Sequence, residues 1–196
     1  MTEHKKTIAY FHGFGSSSLT NSAKFLRENL PEFNVIAPDI PIDPAEALPF
    51  LKNYCAANKV DLVVGTSMGG MYAMQMTECR RFCVNPALQL SQVEGLLTEG
   101  TFEFFQPTAD GRTHFTITRD IIRHFQEMEH HLFDGFTPEN ACRCWGFFAD
   151  CDTLVNCKPL FSEYFSQVID FHGEHRLSED VLRDVIIPAA RKIFAD

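Results

Sequence analysis

No stretch of this 196-residue chain approaches the ~18 consecutive apolar residues that a membrane-spanning helix requires, so insertion into a bilayer is not expected. Basic residues are scarce. The 17 Lys and Arg stand against 26 Asp and Glu, a formal net charge of −9 that argues against nucleic acid or an anionic membrane as main partner, since both select clustered cations. Paired cysteine motifs are missing too: the cysteines at 55, 79, 83, 142, 144, 151 and 157 form an odd, scattered set, which fits reduced core thiols better than a disulfide framework. Those at 142, 144 and 151, with His130 and His131, match no zinc-site spacing, so neither metal nor cofactor is expected. Met1 to Lys6 is polar and has no apolar h-region, from which a cytoplasmic protein is expected. There are no repeats and no low-complexity tracts. What is present, 45% hydrophobic and 22% charged residues, suits one domain spanning 1–196 that buries roughly 70% of its unfolded surface.

Short apolar runs alternate with longer amphipathic ones. Strands are expected at Thr7 to Phe11, Asn34 to Ala37, Asp61 to Val64, Phe82 to Val84, Arg143 to Phe148 and Gln167 to Phe171. Helices fall between them: Asn21 to Leu30, a stretch from Pro44 capped by Asp43, one after Ser67 running to about Arg80, Lys158 to Phe165, and Glu179 to Phe194 with a kink at Pro188. The rhythm breaks between Ala87 and about Ala141, where no clean strand is expected. That segment contains the aromatics Phe102, Phe104, Phe105 and Phe115, then one strong helix, Thr116 to Leu132, with Ile117, Ile121, Ile122, Phe125, Met128 and Leu132 on one face. It is expected to form a helical cap. Alternating strands and helices imply a mostly parallel six-stranded sheet covered on both faces, a three-layer α/β architecture whose strands all deliver their following loops to one edge.

Those loops carry the chemistry. Gly65, Thr66, Ser67, Met68 and Gly69 sit between the third strand and its helix, and a Ser flanked by glycines at such a corner is the pattern of a nucleophile elbow. By itself the pentapeptide would arise by chance with probability of roughly 0.06 in a chain of this length, so its placement decides. The loop after the first strand holds His12, Gly13, Phe14 and Gly15; that after the fifth holds Asp150 and Asp152; that after the sixth holds His172 and His175. Ser, then acid, then His, each at a strand end, is the chain order of an α/β-hydrolase triad. The residue types alone leave two candidates for the acid and two for the base.

Tyr10 to Phe14 with the serines after it, Gly65 to Gly70, Asn85-Pro86-Ala87, Asp152 with Val155, and Gly173-Glu174-His175-Arg176 together resemble the small YqiA-type esterases of the α/β-hydrolase superfamily. The resemblance implies an α/β-hydrolase fold and selects Asp152, three residues before a Val, as the acid, and His175, followed by Arg176 and Leu177, as the base. An imidazole with an ordinary pKa of about 6.5 can take the Ser67 proton during attack and return it to the leaving group. The backbone N–H groups of Met68, next after the nucleophile, and Phe14, in the loop after the first strand, are the expected oxyanion hole. His12, Gly13, Phe102 and Phe105 are candidate pocket residues, with His12 also shaping the oxyanion loop. The implied activity is cofactor-free hydrolysis of a small or apolar acyl ester or thioester, a small-molecule substrate, through an acyl-enzyme on Ser67. Acyl transfer on the same triad, and a binding module on a hydrolase fold, are the competing readings, and oligomeric state is left open.

Overall fold

A computed structural model describes residues 5–195. Its strands are β1 (Thr7–Phe11), β2 (Asn34–Ile36), β3 (Leu62–Thr66), β4 (Arg80–Val84), β5 (Gly100–Glu103), β6 (His114–Ile117), β7 (Cys144–Ala149) and β8 (Gln167–Phe171). Six of them form one parallel sheet in the order β2-β1-β3-β4-β7-β8, and β5 and β6 form a separate antiparallel pair. Helices α1 (Asn21–Asn29), α2 (Pro44–Ala57) and α3 (Met68–Met74) follow the first three strands; α4 (Arg119–His130) and α5 (Pro138–Ala141) precede β7; α6 (Lys158–Ser162) links β7 to β8. The chain closes through α7 (Glu179–Val181), a π turn at Leu182–Ile186, and α8 (Ile187–Ala195).

The period-2 alternation of the strands builds two apolar layers. Ala9, Phe11, Val63, Cys83, Cys144 and Phe148 face the layer that includes residues of α2, α3, α4 and α6. Ile8, Tyr10, Leu62, Val64, Phe82, Val84 and Phe147 face the layer of α1 and the C-terminal helices. Both faces of a parallel sheet must be covered, which is why these strands read as near-continuous hydrophobic runs. The helix starts are built as their sequences require: Asp43 accepts from the Ala45 N–H ahead of Pro44, and the Thr20 hydroxyl accepts from Ala23.

Several expectations need correction. The helix anticipated from Thr116 begins at Arg119, with Thr118 as its cap, because His114–Ile117 is spent on a strand opposite Gly100–Glu103. Phe115, Thr116 and Ile117 are aromatic or β-branched and favour extended backbone, and Gly111, at φ +85°, permits the reversal that brings the two strands together. The segment between β4 and β7 is therefore a hairpin plus helices. The helix after Ser67 ends at Met74, well short of Arg80, since Arg80 already opens β4. Near Pro188 the helix widens into the π turn that ends at Ile186, consistent with the i→i−4 bond that proline cannot donate. Of the cysteines expected in the core, Cys142 and Cys151 are exposed.

Candidate active site

Ser67 sits at the end of β3 with φ +55° and ψ −120°, a conformation that costs a non-glycine residue about 1–3 kcal/mol. Main-chain bonds impose it. The Ser67 N–H donates to the Val84 carbonyl at 3.0 Å, and the Ser67 carbonyl accepts from Met71 and Ala87, each at 3.1 Å. The flanking glycines are required by clearance: a Cβ on Gly65 would lie 2.1 Å from the Gly69 carbonyl oxygen, and one on Gly69 would lie 2.1 Å from that of Phe11. α3 can approach both β3 and the end of β1 this closely only with hydrogen at the two places.

The Ser67 Oγ lies 2.9 Å from His175 Nε2, and His175 Nδ1 lies 2.7 Å from Asp152 Oδ2. Both partners are well covered, with side chains 14% and 5% exposed. The other oxygen of Asp152 accepts from the N–H groups of Leu154 at 2.8 Å and Val155 at 3.0 Å, so the carboxylate is fixed before it meets the imidazole. The alternative pair lies apart from the serine. His172 Nδ1 contacts Asp150 Oδ2 at 3.1 Å with 87% of its side chain exposed. The His172 contact, then the Gly173 N–H, hold the Asp150 carboxyl down at about 2.

Asn85, which enters the sequence analysis only within the Asn85-Pro86-Ala87 segment of the resemblance and with no role of its own, holds the site's loops together. It is buried with φ +42°, its Nδ2 donates to the carbonyls of Glu174 and His175 at 3.1 and 3.2 Å, and its Oδ1 accepts from Ala149 at 2.8 Å. One side chain thus ties the end of β4 to the end of β7, which leads to Asp152, and to the loop that carries His175. The available signal was an Asn-Pro at a strand end next to the elbow, which reports a turn but not what the amide reaches.

The loop after β1 is in contact with Ser67: a Cβ on Gly13 would lie 3.5 Å from the serine Cβ, an ordinary van der Waals contact. Among the described residues, neither the Phe14 N–H nor the Met68 N–H donates to another main-chain group. His12, expected to line a pocket, lies beneath this loop instead. It is 1% exposed, its Nδ1 meets the Gly13 carbonyl at 2.9 Å, and its Nε2 accepts from the Ile40 N–H at 3.0 Å, which fixes the neutral tautomer. Burial pushes its pKa down, against the pull of the Gly13 carbonyl and Asp39. The hairpin packs above: the Phe14 ring meets Phe115 edge-on at 5.5 Å and Phe125 at 6.2 Å, and the Phe105 N–H donates to the Gly15 carbonyl at 2.8 Å. Asp39 accepts from Ser18 at 2.7 Å and from Ala109 at 2.8 Å, joining the loop after β1 to the hairpin turn. Phe102 packs on Phe115 at 5.8 Å, inside the hairpin's own cluster, whereas Phe105 is 72% exposed.

Asp150, Cys151 and His172 are the donors among the described residues that come close enough to share a metal ion, within 4.8 Å of one another. All three are exposed, and Asp150 is already engaged by His172 and the Gly173 N–H. A cavity of about 390 Å³ borders Asp152 together with Asn85, Asn156 and Lys158, but Ser67, Phe14 and Met68 do not line it. Ser67 is partly exposed in the cleft between the loop after β1, which brings Gly13 against it, and the loop after β8, which brings His175.

The fold is shared with esterases and lipases of known structure. Est1E from Butyrivibrio proteoclasticus is 15% identical, with 99% of this chain and 90% of that one covered and a TM-score of 0.71. Mouse alpha/beta hydrolase domain-containing protein 10 is 14% identical, covering 100% and 92%, also at 0.71. A monoacylglycerol lipase from Paleococcus ferrophilus is 14% identical, covering 95% and 91%, at 0.62. At such identities the likeness establishes the α/β-hydrolase fold. A family model matches residues 7–110, from β1 through the elbow to the hairpin turn, and with it the chain belongs to UPF0227, an uncharacterised protein family.

Proposed function

We propose that this chain is a serine hydrolase that cleaves a small carboxylic ester or thioester through an acyl-enzyme on Ser67. The observation that carries the proposal is the continuous path from Ser67 Oγ through His175 to Asp152, at 2.9 and 2.7 Å, on a serine whose backbone is held at positive φ. In this reading His175 Nε2 takes the hydroxyl proton as Oγ attacks the acyl carbon, and Asp152 keeps the second nitrogen protonated and stabilises the imidazolium. The oxygen of the tetrahedral intermediate accepts from the Met68 and Phe14 N–H groups, each worth about 3 kcal/mol in the transition state. His175 then returns the proton to the departing alcohol or thiol, and a water repeats the sequence to release the acid.

The segment 87–141 acts as a cap in this scheme. Its hairpin buttresses Phe14 through Phe115 and borders the cleft with Phe105, while Phe102 supports that cluster from within. The esterase and lipase names among the structures that share the fold agree with this reading without specifying a substrate.

A panel of nitrophenyl esters and acyl-CoA thioesters of graded chain length tests the proposal. Wild type should turn over at least one short member of the panel, and Ser67→Ala, with an unchanged circular dichroism spectrum, should lose that turnover. Equal rates in both proteins, or no turnover of any member by folded wild type, would contradict it.

A further inference from the structure

Arg176 follows His175 directly in the chain, and its guanidinium carbon lies 5.0 Å from the centroid of the Phe105 ring. Phe105 is anchored on the other wall of the cleft. Its N–H is bonded to the Gly15 carbonyl, and its ring lies 3.5 Å from where a Gly15 Cβ would be. The stacked pair therefore bridges the loop that carries the base and the loop that carries Phe14.

Stacking occupies only the face of a guanidinium. Its N–H donors lie in the plane and stay available to a carboxylate or phosphate. Arg112, Arg119, Arg123, Arg183 and Arg191 each have a carboxylate partner; Arg176, like Arg27, Arg80, Arg81 and Arg143, has none within ion-pair distance among the described residues, and of these five it is the one that adjoins His175 in the chain. On a chain of net charge −9, an exposed arginine beside the reactive centre that is steadied by an aromatic ring yet unpaired is suited to an anion supplied by a ligand.

We propose that Arg176, stacked on Phe105, is a specificity-determining residue that binds an anionic group, a carboxylate or a phosphate, carried by the ester substrate. This rests on the hydrolase reading and adds charge to the substrate class. An apolar cap alone would suggest a neutral acyl ester; the fixed cation at its edge favours an ester with one anionic end.

The experiment compares kcat/KM for two matched pairs: mono-nitrophenyl glutarate against nitrophenyl butyrate, and butyryl glycerol phosphate against butyryl glycerol. The first pair reads a carboxylate and the second a phosphate. In Arg176→Ala the charged-to-neutral ratio should fall at least about tenfold in one pair, mainly through KM, as loss of a charge-assisted contact predicts. Arg176→Lys should restore part of that ratio, which a packing role would not. An unchanged ratio in both pairs overturns the proposal while leaving hydrolysis of the neutral esters intact. If wild type turns over none of these esters, the hydrolase reading fails separately, and calorimetric titration with glutarate and with glycerol phosphate decides the anion site. Binding at least about tenfold tighter to wild type than to Arg176→Ala supports it, and equal or absent binding overturns it.

Discussion

Around Ser67 the chain is held by main-chain atoms with no slack, whereas the segment between β4 and β7 is held over the cleft largely by rings on rings. At the elbow two glycines leave 2.1 Å where a Cβ would have to go, and the serine's own N–H is bonded to the end of β4 and its carbonyl to α3 and to Ala87. In the hairpin, Phe102, Phe104 and Phe115 pack together, Phe115 meets Phe14, and two main-chain N–H groups, of Phe105 and Ala109, tie the assembly to Gly15 and Asp39. The first arrangement admits one backbone path and few residue types. The second tolerates many side chains of similar volume. A site built this way keeps its reacting groups rigid and leaves its cleft wall open to change.

Substitutions on the two sides should separate the contributions. The largest effect is expected from Asp152→Asn. Losing the carboxylate that faces His175 Nδ1 at 2.7 Å favours the wrong tautomer and should lower kcat by about 10⁴-fold with little change in KM. Next is Gly69→Ala. A methyl driven into the Phe11 carbonyl cannot be accommodated by a side-chain rotation, so thermal or denaturant unfolding should report a loss of more than about 3 kcal/mol. Phe115→Ala removes a partly buried ring from the hairpin cluster and should cost a smaller ~1–3 kcal/mol, with kcat falling more than KM rises, because Phe14, whose N–H is assigned to the oxyanion, loses its support while Ser67 and His175 keep theirs. If Phe115→Ala proves as damaging as Gly69→Ala, the two regions are not held by different means.

The smallest effect concerns pH. His12 is neutral in the fold because burial lowers its pKa, so the unfolded chain takes up a proton first on acidification. Its contribution is therefore complete above the ordinary histidine value near 6.5 and is lost as pH falls below it. Between pH 7 and 5 the stability of His12→Gln should fall less steeply than that of wild type, by at most about 1.4 kcal/mol per pH unit. Asp150 contributes no slope in that window, since His172 and the Gly173 N–H keep it ionised down to about 2.

How much of this was legible in the sequence follows the same division. The six parallel strands announced themselves as apolar runs, and the elbow as two glycines with a serine between them, because backbone constraints restrict residue choice. The choice between Asp150 and Asp152 was not legible from residue types, since both follow one strand and both face a histidine; what differs is distance to Ser67 and exposure. The hairpin is legible in principle from the Asp110-Gly111 turn, but Thr116 and Ile117 of its second strand also fit the helical period that continues into α4, and Phe102, Phe104, Phe105 and Phe115 read as an aromatic cluster ahead of that helix rather than as strands. The Asn85–His175 and Arg176–Phe105 contacts join loops 90 and 71 residues apart that meet only in three dimensions; the short segments containing Asn85 and Arg176 carry the resemblance but do not encode what those side chains reach.

The central claim is that Ser67 is the nucleophile, and the most direct test is covalent trapping with a fluorophosphonate followed by peptide mapping. Wild type should take up one equivalent, with the added mass on the peptide containing Ser67, and Ser67→Ala should take up none. An adduct on any other residue, or none on folded wild-type protein, would contradict the account.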